Sequence, residues 1–369
     1  MNVQQIVEED LDYICDLLKD EFSSLAGKKV LLTGGAGFLG YYLVQSILHQ
    51  NERSEQEASI QLTVYDNFMR GVPEWLSSLE ANPHLKLVRH DITNPLPDDV
   101  PDFQFVIHAA SIASPIYYRK FPIQTMDANV EGLRYLLDYC LRQKMRDLPV
   151  EGFLCYSTSE IYGDPTPENI PTPESYRGNV SCTGPRACYD ESKRYGETLC
   201  VNFAQVHDLP VRIARPFNNY GPGLKISDRR VLPDFARDVL RGNDITMFSD
   251  GAPTRTFCYI ADAVVGYFKI LVRGKAGEAY NIGVEKPEIS IADLAERVVS
   301  IGRELFDYQG KVVYRTSTDE DYLVDNPNRR CPVIQKARDQ LGYDPGISID
   351  EGLRRALLWY SGNPEAEDA

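Results

Sequence analysis

No stretch of this 369-residue chain approaches the roughly 20 consecutive apolar residues that a bilayer-crossing helix requires, so a membrane-spanning protein is excluded. The N-terminal MNVQQIVEEDLDYICDLLKDEF has no basic flank, apolar stretch or small-residue cleavage site, which argues against export. The eight cysteines include no C-x-x-C pair and sit beside no histidine cluster; histidines number only five. Disulfide scaffolds and zinc sites are therefore disfavoured, no metal site is expected, and the thiols suit a reducing cytoplasm. Positive charge is also scarce: 39 Lys and Arg against 54 Asp and Glu give a net charge of -15. Such a chain repels nucleic acid and anionic lipid at long range, so neither is expected as a partner. Any phosphate-bearing ligand must be gripped by local donors instead.

What is present is a globular composition, 43% hydrophobic and 25% charged, long enough for one large domain or two joined ones. Val7, Leu11, Ile14, Leu18 and Phe22 recur at helical spacing, which predicts one acidic helix over 6–22, packed on the main body or on a second subunit. From Lys28 the pattern changes. KKVLLTG reads as a strand, GAGFLGYYLVQSILHQ as a helix and QLTVYD as a second strand, with NERSEQEAS between them as an exposed connection. Further strands are expected at LKLVRHD, FQFVIHAAS, GFLCYSTS, PVRIARP and EAYNIG. Helices are expected over IQTMDANVEGLRYLLDYCLRQ, ACYDESKRYGETLCVNFAQVH and ADAVVGYFKILVRG. This alternation predicts an α/β fold, a Rossmann-type doubly wound parallel sheet with a smaller mixed α/β C-terminal region. No internal repeat appears.

Gly34, Gly37 and Gly40 fall in TGGAGFLG, between the first strand and the first helix. There the missing side chains permit a tight turn and the close approach of a pyrophosphate to a helix N-terminus. Asp66 ends the second strand, the place from which a carboxylate accepts hydrogen bonds from an adenosine ribose diol. A 2′-phosphate there would meet a like charge, so NAD is expected rather than NADP. Asp91, after LKLVRH, has two readings: a partner for the adenine amino group, or an exposed aspartate at a strand end. His108 in FVIHAAS reads as a satisfied core histidine rather than a catalytic one.

Tyr189 and Lys193 stand one helical turn apart, so both emerge on one helix face. An ordinary tyrosine, with a pKa of about 10, is a poor base at neutral pH, but a nearby ammonium and a cationic nicotinamide favour its phenolate. The pair is read as the catalytic base and its partner because it follows a glycine fingerprint and a Ser/Thr strand end.

Together TGGAGFLG, Ser157-Thr158-Ser159 and Tyr189 with Lys193 resemble the extended short-chain dehydrogenase/reductase family that acts on nucleotide sugars, from about Lys28 to Trp359. YSTSEIYGDP, TGPRACYDESKR, RPFNNYGPG, DRRVLPDF, PTRTF and NRRCPVIQKARDQLGY are similar to its UDP-glucuronate decarboxylase branch. The resemblance implies that Thr158 shares the sugar O4 hydroxyl with Tyr189 and that Lys193 holds the nicotinamide ribose. Ser159, Glu160 and Arg330 would surround the C6 carboxylate and C5. Phe38, Leu39, Asn67, Ile92, Ala109 and Ser111 would join the glycines, Asp66 and Asp91 around the cofactor. Asn218, Arg230 and Arg255 would bind the nucleotide diphosphate and its ribose. Tyr118 aligns with a substrate-contacting tyrosine, though a core aromatic is the alternative. Residues 1–26 then form a helical extension, 27–216 the NAD-binding domain and 217–369 mainly a substrate-binding region interleaved with it. A homodimer formed through two long helices of each copy is expected.

The reaction implied is conversion of UDP-glucuronate to UDP-xylose through a 4-keto intermediate, in which a ketone β to the carboxylate lets carbon dioxide leave. A 4,6-dehydratase would need an acid after the strand-end threonine, where this chain has Ser159. A 4-epimerase needs neither an acidic residue nor an arginine beside C6. A sensor or scaffold that had lost its chemistry would not need Thr158, Tyr189 and Lys193. Two departures touch the substrate side: SPIYYRKFP is unusually basic and aromatic, and GPG at 221–223 stands where the family has glycine, proline, arginine.

Overall fold

The structure, a computed structural model, describes residues 2–97, 99–315, 324 and 326–363. The seven expected strand runs all pair in one sheet: β1 Lys29–Thr33, β2 Gln61–Asp66, β3 Leu85–Arg89, β4 Phe105–His108, β5 Gly152–Tyr156, β6 Val211–Pro216 and β7 Ala279–Ile282. Their order is β7-β6-β5-β4-β1-β2-β3, and every pairing is parallel. The central strands read as nearly unbroken apolar runs because both faces are covered. Leu31, Val106 and Phe153 point to one face, where they meet Leu133, Leu137 and Cys140 of α3 (Leu133–Met145) and Cys200 and Phe203 of α4 (Ala187–His207). Val30, Leu32, Ile107 and Leu154 point to the other. There they join α2 (Phe38–Glu52) and α6 (Ile260–Arg273).

The N-terminal segment is two helices, not the single one its spacing predicts. The first is α1 (Val3–Leu17), and a second turn of helix runs Lys19–Leu25. The chain breaks at Leu18, with φ -118° and ψ 24°, and the bend lets Leu18, Phe22 and Leu25 all reach the interior. Phe22 packs 5.1 Å from Phe268 of α6. Asp10 of α1 is fully buried. It accepts hydrogen bonds from Tyr42 of α2 and Tyr259 and pairs at 2.5 Å with Arg355 of α8 (Ile349–Gly362). The extension is thus wedged against the helix that opens the glycine turn.

Two further expectations change. Helix α2 runs into the connection NERSEQEAS, and its Asn51 is buried, closing the loop by hydrogen bonds to both the N–H and the carbonyl of Ile60 at 2.8 and 2.9 Å. The helix expected over 123–143 is interrupted at Ala128–Gly132 by a wide turn. Asn129 in that turn accepts from Ser111 at 2.7 Å and donates to Ser192 at 2.9 Å, tying the loop after β4 to α4.

The C-terminal region contributes β7 to the main sheet and a small sheet of its own. In that sheet Thr254–Arg255 lies between Ile289–Ser290 and Arg329–Arg330, with Arg330 beside Arg255 and Arg329 beside Thr254. Successive residues of a strand face opposite ways, so Arg255 and Arg330 share one face. On the other, Arg329 makes a two-pronged pair with Glu288 at 2.8 and 2.7 Å, and Glu288 also takes the Thr254 hydroxyl. α5 (Val231–Leu240) and α7 (Ile291–Phe306) back this region.

Candidate active site

A cleft of about 1130 Å³ opens where the strand order reverses at β1, beyond the carboxyl ends of β1, β2, β4, β5 and β6. Open parallel sheets place ligands at this crevice because loops diverge there to either side. Its lining includes Gly34, Gly37, Phe38, Leu39, Asp66, Asn67, Asp91, Ile92, Ala109 and Ser111 toward β1 and β2. Toward β5 and the C-terminal region it includes Tyr118, Thr158, Ser159, Glu160, Tyr189, Lys193, Asn218, Arg230, Arg255 and Arg330. One expected cofactor residue, Gly40, does not line it. A Cβ at Gly40 would lie 2.0 Å from the Gly35 carbonyl oxygen, so this glycine lets α2 sit against the turn.

The glycine turn fits a dinucleotide. Gly34 has φ +75°, and a Cβ there would lie 2.5 Å from the Ala110 nitrogen. Gly37 is the N-cap of α2 and brings no capping side chain, so the first-turn N–H groups are left for an anion. Asp66 is held at the end of β2 by the N–H groups of Ala36 and Phe68 at 3.0 and 2.8 Å. Burial raises its pKa against those hydrogen bonds. Asp91 accepts from Thr93 and from Asn67 at 3.1 Å; burial opposes its charge, but these donors outweigh it and lower its pKa. His108 is buried, bonded through Nδ1 to the Thr33 hydroxyl at 2.9 Å, and burial brings its pKa down to about 3. It is a core residue kept neutral.

Tyr189 and Lys193 lie on the buried face of α4, with the ammonium 5.8 Å from the phenol ring centroid. Lys193 donates to the Tyr156 carbonyl at 2.9 Å, and burial lowers its pKa to about 8. The Tyr189 ring stacks on Tyr118, centroids 5.2 Å apart and planes 11° from parallel, and its hydroxyl bonds Thr158. Burial, then the charge of Glu160, pushes the Tyr189 pKa up to about 12, against the Thr158 hydrogen bond. The protein alone thus holds the phenol protonated, which leaves the expected phenolate dependent on the cationic nicotinamide as well as the ammonium.

Glu160 follows the strand-end Thr158, whose hydroxyl caps its N–H at 3.2 Å. Its Oε2 accepts from Arg330 at 2.6 Å and from Arg186. Burial works against the charge, yet Arg186, Arg330 and Arg255 outweigh it and hold the carboxyl down to about 2. Ser159 is buried beside it. Arg330 also reaches Asn218 at 3.5 Å, Asn218 donates to the Thr256 carbonyl at 2.9 Å, and Arg230 donates to the Ala113 carbonyl at 3.3 Å. Arg255 spends its donors on main-chain carbonyls of Thr254, Pro327 and Asn328 at 2.7, 2.5 and 3.2 Å. It lines the cleft and also fastens the turn that carries Arg330. Arg186 was given no role from the sequence, although it stands inside TGPRACYDESKR immediately before α4.

Residues 30–283 match the NAD dependent epimerase/dehydratase family. UDP-glucuronic acid decarboxylase 6 of Arabidopsis thaliana is 38% identical over 325 residues, covering 88% of this chain and 86% of that protein. Among solved structures, an epimerase of Methanothermobacter thermautotrophicus superposes with a TM-score of 0.78 at 28% identity, over 95% of this chain and 97% of its own. The UDP-glucuronic acid 4-epimerase of Bacillus cereus, in complex with UDP-glucuronic acid and NAD, gives 0.71 at 26% identity, over 90% and 98%. Sequence, sheet order and cleft agree that the chain belongs to the NAD dependent epimerase/dehydratase family.

Proposed function

We propose that this protein binds NAD and converts UDP-glucuronate to UDP-xylose and carbon dioxide. The observation that carries the reading is the placement of Glu160 on Arg330, beside the Tyr189–Thr158 pair, with serine at 159 where a dehydratase needs an acid. The 38% identity to a UDP-glucuronic acid decarboxylase over most of both chains supports it. Gly34, Gly37 and the open first turn of α2 would hold the pyrophosphate and Asp66 the adenosine ribose. Held there, NAD would supply a hydride acceptor for C4 and, in its reduced form, a hydride donor. Tyr189 removes the O4 proton, and Thr158 steers that hydroxyl. The resulting ketone lies β to the carboxylate, so the C5–C6 bond breaks and its electron pair passes to an enolate oxygen. Tyr189 and Thr158 stabilise that oxygen by donating to it. A proton then enters at C5, which Ser159 and Glu160 flank.

Residues 27–216 with β7 serve the cofactor, and 217–369 mainly the sugar nucleotide. The surface of α3 and α4 where Arg134 and Tyr195 are exposed and Tyr135 and Leu199 half-buried supports a homodimer paired through these helices. Eight unbridged cysteines support a cytoplasmic setting. The test is incubation of the purified protein with NAD and UDP-glucuronate, followed by mass spectrometry of the sugar nucleotide. Loss of carbon dioxide with a pentose product is expected; C4 inversion without mass loss, or loss of water from UDP-glucose, would overturn the reading.

A further inference from the structure

We propose that Arg186 is a specificity-determining residue: with Arg330 it forms a two-sided guanidinium clamp for the C6 carboxylate of the substrate, an inference that rests on the uronate reading above. Arg186 is bound to the base through the backbone, since its carbonyl accepts the N–H of Tyr189 at 3.0 Å and that of Asp190 at 3.1 Å. Its side chain lies beside the first turn of α4 in the cleft wall, where it meets Glu160. Arg330 arrives from the small C-terminal sheet on the opposite side and donates to the same carboxylate oxygen, Oε2. Two guanidinium groups that share one acceptor atom are held within a few ångströms of each other, flanking the space beside Thr158 and Tyr189.

Each keeps donors that Glu160 does not use. The Nε of Arg186 and the Nε of Arg330 are both buried and make no hydrogen bond among the described residues. The nearest acid to the first is Asp190, 3.7 Å from it, an ion pair beyond hydrogen-bond distance. The two side chains are only 14% and 11% exposed, so water does little to satisfy them. Buried donors without acceptors are costly, and a second carboxylate entering between the forks would supply four lone-pair sites in the plane that guanidinium groups recognise. A neutral hydroxymethyl at C6 would leave those donors unpaired, and sites built to bond a group reject analogues that lack it. Glu160 thus sets the spacing of the forks, and the substrate carboxylate takes their remaining donors.

The experiment titrates UDP-glucuronate and UDP-xylose, which lacks the carboxylate, into NAD-loaded protein in which Tyr189→Phe blocks turnover. Adding Arg186→Met is expected to weaken UDP-glucuronate at least ~30-fold, about 2 kcal/mol, and UDP-xylose less than ~3-fold. Arg186→Lys, which keeps the charge for folding but loses the fork, is expected to fall between. If Arg186→Met weakens both ligands equally, or neither, the clamp is wrong. A role exerted only by holding Glu160 is tested by repeating the pair in Glu160→Gln: the selective loss persists if Arg186 touches the substrate, and its disappearance refutes the clamp. Carbon dioxide release by the unaltered protein is measured alongside. Its absence would sink the uronate reading itself, whereas release combined with an unselective Arg186→Met sinks only this inference.

Discussion

Replacing Lys193 by methionine should make the protein more stable near neutral pH while abolishing its chemistry. The lysine is buried in α4, and burial brings its pKa from 10.5 to about 8. Below the lower value the ammonium is charged in both folded and unfolded chains, and keeping it charged inside costs about 3 kcal/mol, at 1.36 kcal/mol per unit. Above the upper value both states are neutral and the cost is gone. Stability therefore rises with pH through the window from about 8 to about 10.5, where the unfolded chain binds more protons than the folded one. The methionine escapes the penalty but leaves the Tyr156 carbonyl without its 2.9 Å donor, which returns about 1 kcal/mol. A net gain of about 2 kcal/mol near pH 7 follows, shrinking to roughly zero by about pH 9.5. Urea unfolding of the cofactor-free proteins at the two pH values measures both numbers. A variant less stable than the parent at neutral pH, or an advantage that does not fade with alkali, would refute the assignment of Lys193 as a buried charge held for catalysis.

Tyr189→Phe removes the group proposed to take the O4 proton; turnover should fall by on the order of 10³-fold or more while NAD titration remains within a factor of about three of the parent. Asp66→Ala should weaken NAD by roughly tenfold and relax its advantage over NADP, read by fluorescence titration of both nucleotides, because the like-charge contact with a 2′-phosphate is gone. Asp10→Ala strands Arg355 and the hydroxyls of Tyr42 and Tyr259 in the interior, and urea unfolding should show a loss of about 3 kcal/mol. A loss below about 1 kcal/mol would mean that the N-terminal wedge adds little to the body it rests on.

All seven strands of the main sheet, including the late arrival Ala279–Ile282, were legible because each is a short run rich in apolar residues bounded by turn residues, unbroken in the centre and interrupted by Lys86, Arg212 or Asn281 nearer the edges. Gly34, Gly37, Asp66, Tyr189 and Lys193 were legible because they follow directly on those strands or share a helix turn, whereas Tyr118, Asn218, Arg230, Arg255 and Arg330 were expected only from the family resemblance. What escaped notice depends on partners distant in sequence. Asp10 looks like any acid on an amphipathic helix, and only the fold brings it to Arg355. Arg255 looks like a ligand-binding cation, and only the fold shows that it also ties down the carbonyls of 327 and 328. The break at Leu18 lies inside an unbroken helical pattern, and no proline or glycine marks it. The high pKa of Tyr189 reflects desolvation, which spacing alone does not reveal.

The small sheet that pairs Arg330 with Arg255 and Arg329 with Thr254 has a consequence for how this part of the chain can vary. Neighbouring arginines there have opposite duties, one turned to the cleft and one locked to Glu288. Sliding the strand by one place would turn Arg330 to the other face and offer the cleft Arg329 or Cys331 in its stead. A slide of two residues would keep the alternation of faces but set Asn328 or Pro332 in the place of Arg330, so a shift too slight to alter the outline of the fold would suffice to disarm the site.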